Sequence, residues 1–256
     1  MQICGLCGTQ VQRLANSHIY PASMSKEQAA GSELVSARPE RGYVSIAMSG
    51  LHDRIVCGQC EALFHPFDEE AINFRRRALK LDGLIGYRHE SIQLPTLRGD
   101  AGKLHTFAMQ TLLRSALSKF TPEVQRSSLT DWISKRLLSR TSTIEGGPEV
   151  FLRVVLGDLG NVSMNPLRHD VDGLSLYMLY MPNFIVSIAA SEDGSLGLPG
   201  KGLTLSPGME GPIWRSKIRD HEYQFVVDGL LPVAGKVEDI FQKPERSRHR
   251  KLRRIP

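Results

Sequence analysis

The chain contains four cysteines, in two matched pairs: Cys4-x-x-Cys7 near the start and Cys57-x-x-Cys60 after an insert of 49 residues. Each pair sets two sulfurs within one turn. Together they offer four thiolates, a donor set suited to one tetrahedral zinc ion with bonds of ~2.3 Å. A redox-active pair is the other chemistry open to a CxxC motif, but two matched pairs that use every cysteine point to structural zinc. Gly8, directly after Cys7, suits a tight knuckle turn. Glu61, directly after Cys60, stands in an apparent helical turn.

Nitrogen and oxygen donors lie close to these pairs. The insert carries Asn16-Ser17-His18-Ile19-Tyr20-Pro21 and Leu51-His52-Asp53, and His65 follows Glu61 by four residues. A histidine with its ordinary pKa near neutrality can take a proton from water. A carboxylate such as Glu61 offers hard oxygen to Mg²⁺, and on a continuous helix His65 would share its face. The order CxxC, His-Ile-x-Pro, Leu-x-x-x-x-x-Cys-x-x-Cys resembles the zinc-containing HNH endonucleases. It does so on Cys4, Cys7, His18, Ile19, Pro21, Leu51, Cys57 and Cys60, within about the first 70 residues.

The resemblance implies a treble-clef, ββα-metal module in which Cys4, Cys7, Cys57 and Cys60 bind structural Zn²⁺. It implies His18 as general base and Glu61 as ligand to a catalytic Mg²⁺ or Mn²⁺, where the family usually has Asn or His. His52 falls at the loop-bracing position, with Asp53 beside it, and His65 is a second candidate metal ligand. The family residue before the base is usually Asp, Glu or His; here it is Ser17. The implied reaction is hydrolysis of DNA phosphodiesters, in phage, mobile-element or anti-phage biology. By analogy with such systems an ATPase subunit is a candidate partner. The alternative is a catalytically inactive zinc-bearing module that binds DNA or protein. Ser17 and Glu61 favour that alternative, whereas His18 with His52 favours catalysis.

These residues need elements to position them, and the pattern predicts an α+β protein. Residues 1–80 read as the zinc-binding module, 81–242 as a helical and then β-rich region, and 243–256 as a basic tail. Pro66 reads as the first position of a helix to about Lys80, with acids in its first turn. Phe67, Ala71, Phe74 and Ala78 form its apolar face. Arg75, Arg76 and Arg77 form a solvated face, with nucleic-acid contact as the second reading. Residues 81–101 look irregular. A helix is predicted over Lys103–Phe120, and another to about Arg140 with Thr121 as cap and Pro122 at its first position. Past Gly146-Gly147-Pro148, strands are predicted at Val150–Leu156, Leu174–Met181, Phe184–Ala190 and Tyr223–Val227. Pro182-Asn183 marks a hairpin, and 194–211 reads as a long loop. Arg168-His169-Asp170-x-Asp172-Gly173 could form a metal loop, but Asp and Gly between strands are ordinary turn residues.

Bulk properties narrow the function classes. Of 256 residues, 41% are hydrophobic and 23% charged, ordinary for a globular protein. Lys243–Arg254 holds seven basic residues and one acidic, a net of +6 against +5 for the whole chain, so the rest is close to neutral. Such a tail suits phosphate contact or simple solvation. No apolar run approaches the ~18 residues of a membrane span, and the first residues lack a signal-peptide pattern. The expectation is a cytoplasmic protein without membrane contact, where paired cysteines more often bind metal than form disulfides. No phosphate-cradling glycine loop and no Gly-x-Ser-x-Gly elbow occurs.

Overall fold

A computed structural model describes residues 1–26, 35–38, 43–46, 51–82, 92–93, 99–122, 124–139, 143–144, 147–154, 163–164, 166–171, 174–181, 184–191 and 214–215. The predicted strand at Tyr223–Val227, the loop at 194–211 and the basic tail lie outside the described residues, as do Asp172 and Gly173. The described elements mix helices with small, mostly antiparallel sheets, which is the α+β class. No described helix is long and apolar enough to cross a membrane.

Four short strands and one long helix build the N-terminal part. β1 (Gln2–Ile3) pairs with β2 (Gln10–Val11), and β3 (Ser17–His18) with β6 (His52–Asp53). A short α1 spans Ala22–Lys26. Within the insert, β4 (Val35–Arg38) pairs antiparallel with β5 (Tyr43–Ile46) and parallel with β9 (Ser163–Met164).

α2 runs unbroken from Gly58 to Asp82 with Pro66 inside it. This corrects the expected helix start at Pro66. An interior proline forfeits one backbone bond and costs about 3 kcal/mol. Opposing it, Phe64, Phe67, Ala71 and Phe74 are all buried, and each buried phenylalanine contributes roughly 1.5–3 kcal/mol. Ala62, whose carbonyl loses the bond, is exposed to water. The arginine triplet divides accordingly. Arg76 and Arg77 are exposed, but Arg75 falls on the arc of Ala71 and is only 1% exposed, so the three do not share a solvated face.

α3 (Ala101–Leu117), capped by Asp100, packs between α2 and α4 (Ser128–Leu138) and is buried over nearly its whole length. α4 starts at a Ser127–Thr130 capping box, not at Thr121. The Thr121 hydroxyl instead donates back to the carbonyl of Ser115 and closes the end of α3. Beyond, β8 (Glu149–Val154), β10 (Leu167–Val171), β11 (Leu174–Met181) and β12 (Phe184–Ser191) form a sheet with β13 (Trp214–Arg215) and β7 (Ile92–Gln93). Its order is β10-β11-β12-β8-β13-β7. Met181 opposes Phe184 across the expected hairpin. Arg168, His169 and Asp170 lie in β10, paired with β11. One apolar core runs from Leu6 through α2, α3 and α4 to Val186 and Ile188.

His105 of α3 carries a pH dependence. It is 1% exposed, and its Nε2–H donates to the Pro148 carbonyl at 3.1 Å, leaving Nδ1 without a partner. Burial lowers its pKa, outweighing the bond to Pro148. The unfolded chain binds this proton near pH ~6.5, the folded protein only at lower pH. Stability is therefore full above that value and lost as pH falls through the folded pKa. His105→Gln keeps a donor for Pro148 and should flatten the fall in urea midpoint between pH 7 and pH 5. An unchanged slope would remove His105 from the acid response.

Candidate metal centre

The first cysteine pair sits in the turn between β1 and β2. Cys4 N donates to Thr9 O at 3.0 Å, and Gly8 N to Cys4 O at 2.9 Å. Gly8 adopts φ 72°, a left-handed conformation that other residues enter with strain. Gly5 N donates to Ile55 O, and a Cβ at Gly5 would come within 2.9 Å of that oxygen. The loop is thereby held against the approach to α2. There Cys57 precedes the helix and Cys60 lies in its first turn.

All four Sγ atoms lie within 4.8 Å of one another, and Cys7 Sγ is 4.0 Å from Cys57 Sγ. A disulfide needs ~2.05 Å, and the cysteines are free thiols. A tetrahedron with ~2.3 Å bonds has edges of ~3.8 Å, close to the observed spacing. Cys4 Sγ accepts N–H bonds from Cys7 at 3.5 Å and Cys57 at 3.2 Å. Hydrogen bonds from the side chain and then the backbone of Thr9 pull the Cys7 thiol down to about 6. Burial pushes the Cys60 thiol up. Crowded thiolates repel until a cation joins them, so these four side chains can hold a metal ion.

The histidines stand on the β3–β6 ladder. Ile19 N donates to Leu51 O at 2.8 Å. The alternation of antiparallel bonds then makes His18–His52 the non-hydrogen-bonded pair, where opposing side chains lie closest. Their ring centroids are 5.7 Å apart, His18 half-buried and His52 exposed. Ser17 points the other way, fully buried, and its hydroxyl donates to Glu61 Oε2 at 2.5 Å. The residue before His18 and the residue after Cys60 therefore meet directly.

Because α2 continues through Pro66, His65 shares a helix side with Glu61, one turn on and exposed. Asp53 is engaged elsewhere: its Oδ2 accepts from Ser118 Oγ and Lys119 N, both at 3.1 Å. Among the described residues the four cysteines form the one converged metal-binding group. No second set of three comes together from His18, His52, Glu61 and His65.

Sequence reasoning missed the support beneath the ladder. Arg114 of α3, 0% exposed, donates through Nη1 to His18 O at 2.8 Å. Its two Nη atoms grip both oxygens of Asp68, and Gln110 Nε2 donates to Asp68 Oδ1 at 2.7 Å. The available signal was a glutamine and an arginine four residues apart on an otherwise mostly apolar helix. No family model, curated protein or solved structure matches the chain.

Proposed function

We propose that the four cysteines bind structural zinc and that the ladder and α2 form a treble-clef, HNH-like endonuclease centre acting on DNA. The observation that carries this reading is the joining of three parts through β3 and the start of α2. The cysteine group joins the β1–β2 turn to the start of α2, His18 stands opposite His52 on the β3–β6 ladder, and Glu61 of the first turn of α2 meets Ser17 of β3. Soft sulfur donors without open oxygen ligands suit Zn²⁺ in a closed, structural site. In this reading His18 takes the proton from the attacking water. Glu61, with Oε1 not used by Ser17, presents a hard oxygen to Mg²⁺ or Mn²⁺. When bound, that cation supplies charge neutralisation at the leaving 3′ oxygen. An ATPase partner and a role in anti-phage defence belong to the same reading by analogy.

The second reading is a zinc-bearing module that binds DNA or protein without cleaving. The short Ser17–Glu61 bond favours it, since it engages a carboxylate oxygen that a cation would need.

Nicking of supercoiled plasmid with Mg²⁺ or Mn²⁺ separates the two. The nuclease reading expects cleavage by the wild type and a rate roughly 10²–10⁴-fold lower in His18→Ala at equal zinc content. Equal rates would remove His18 as the base. Metal-dependent DNA binding without cleavage would leave the binding module standing.

A further inference from the structure

We infer that Arg114 is the positioning residue for His18, so that α3 sets where the ladder presents its histidine. The inference rests on the nuclease reading only for its kinetic consequence; the geometry stands apart from it.

In a non-hydrogen-bonded ladder pair, the carbonyls of both residues face away from the partner strand. His18 O therefore needs another donor, and Arg114 Nη1 supplies one at 2.8 Å. The guanidinium is itself held at several points. Asp68 takes both Nη atoms, and the Phe64 ring lies 4.9 Å from its Cζ. Gln110 fixes that carboxylate and also donates to Phe64 O at 3.2 Å. A planar fork suits this arrangement, whereas a lysine ammonium reaches it as a single point. On the opposite strand, Asp53 Oδ2 receives Ser118 and Lys119 from just beyond the same helix. The C-terminal end of α3 thus grips both strands, at His18 on one and next to His52 on the other.

An arginine beside a nuclease centre invites assignment as a phosphate clamp. Arg114 is 0% exposed and its Nη atoms are engaged by Asp68 and His18, so it meets no substrate. It acts through the backbone of His18 alone.

The test compares wild type, Arg114→Lys, and the double variant Arg114→Met/Asp68→Leu. The double variant removes both charges together, leaving neither buried alone. Zinc content and urea midpoint confirm that each protein folds. The readouts are kcat and KM on supercoiled plasmid with Mg²⁺, and the ¹H–¹³C NMR signal of the His18 ring. In the double variant kcat should fall about 10–100-fold at unchanged KM, as a misplacement near 1 Å produces. Arg114→Lys should recover part of the loss. The His18 signal should move or split while that of His105 stays in place. If the wild type cleaves and the double variant matches its kcat, positioning by Arg114 is overturned and the nuclease reading survives. If the wild type does not cleave, the nuclease reading falls and the His18 signal decides: movement supports the inference, and an unmoved signal overturns it.

Discussion

On the zinc reading, Cys4→Ser should cost the protein its metal and unfold its N-terminal part. The two ladders there, β1–β2 and β3–β6, are two residues long on each strand. Pairings this short do not stand alone in water. Structural zinc contributes an apparent ~10–16 kcal/mol to small metal-folded modules at neutral pH, as much as the ~5–15 kcal/mol total stability of an ordinary domain. Cys4 is the most consequential of the four, because its sulfur also receives the N–H groups of Cys7 and Cys57. Elemental analysis should find about one zinc per wild-type chain and almost none in the variant, by the one-ion reading of four thiolates. Loss of dispersed amide signals from β1, β2, β3 and β6 should accompany it. A variant that kept its zinc and its signals would show that the metal lies elsewhere.

Asp68→Ala should be the most damaging substitution outside the cysteines. It leaves the fully buried Arg114 without its counter-ion and frees Gln110 Nε2 from one of its two acceptors. Breaking one side of a buried pair costs about 3–5 kcal/mol, whereas replacing both sides by apolar residues is often close to neutral. The urea midpoint should therefore drop steeply in Asp68→Ala and recover in Arg114→Met/Asp68→Leu. Additive losses in the two proteins would indicate that the charges do not act as a pair.

The parts of the fold legible in the sequence are those that local chemistry determines. The cysteine group follows from the CxxC spacing, since a chelating pair needs only one turn of chain. β11 and β12 follow from two apolar runs around Pro182-Asn183, and the residues facing each other there are close in sequence. Expectations failed where tertiary packing overrode a local signal. Pro66 has the character of a helix start, yet three buried phenylalanines carry α2 through it. Thr121-Pro122 has the character of a cap, yet the Thr121 hydroxyl belongs to the end of α3. The pairing of Arg114 with Asp68 and His18 had no local signature, because the partners lie 46 and 96 positions away. His18 and His52 were each singled out, but their opposition across one ladder depends on the whole insert between them.

The pairing of β4 with β9 has a consequence for synthesis. Ser36 meets Ser163, 127 positions later. At ~5–20 residues per second, a ribosome takes roughly 6–25 s to deliver the second strand after the first. Throughout that interval the β4–β5 hairpin presents the edge that β9 will occupy, and an unpaired edge is a template for other chains. The nascent protein is thus most exposed to association at a stage when its cysteines have already emerged.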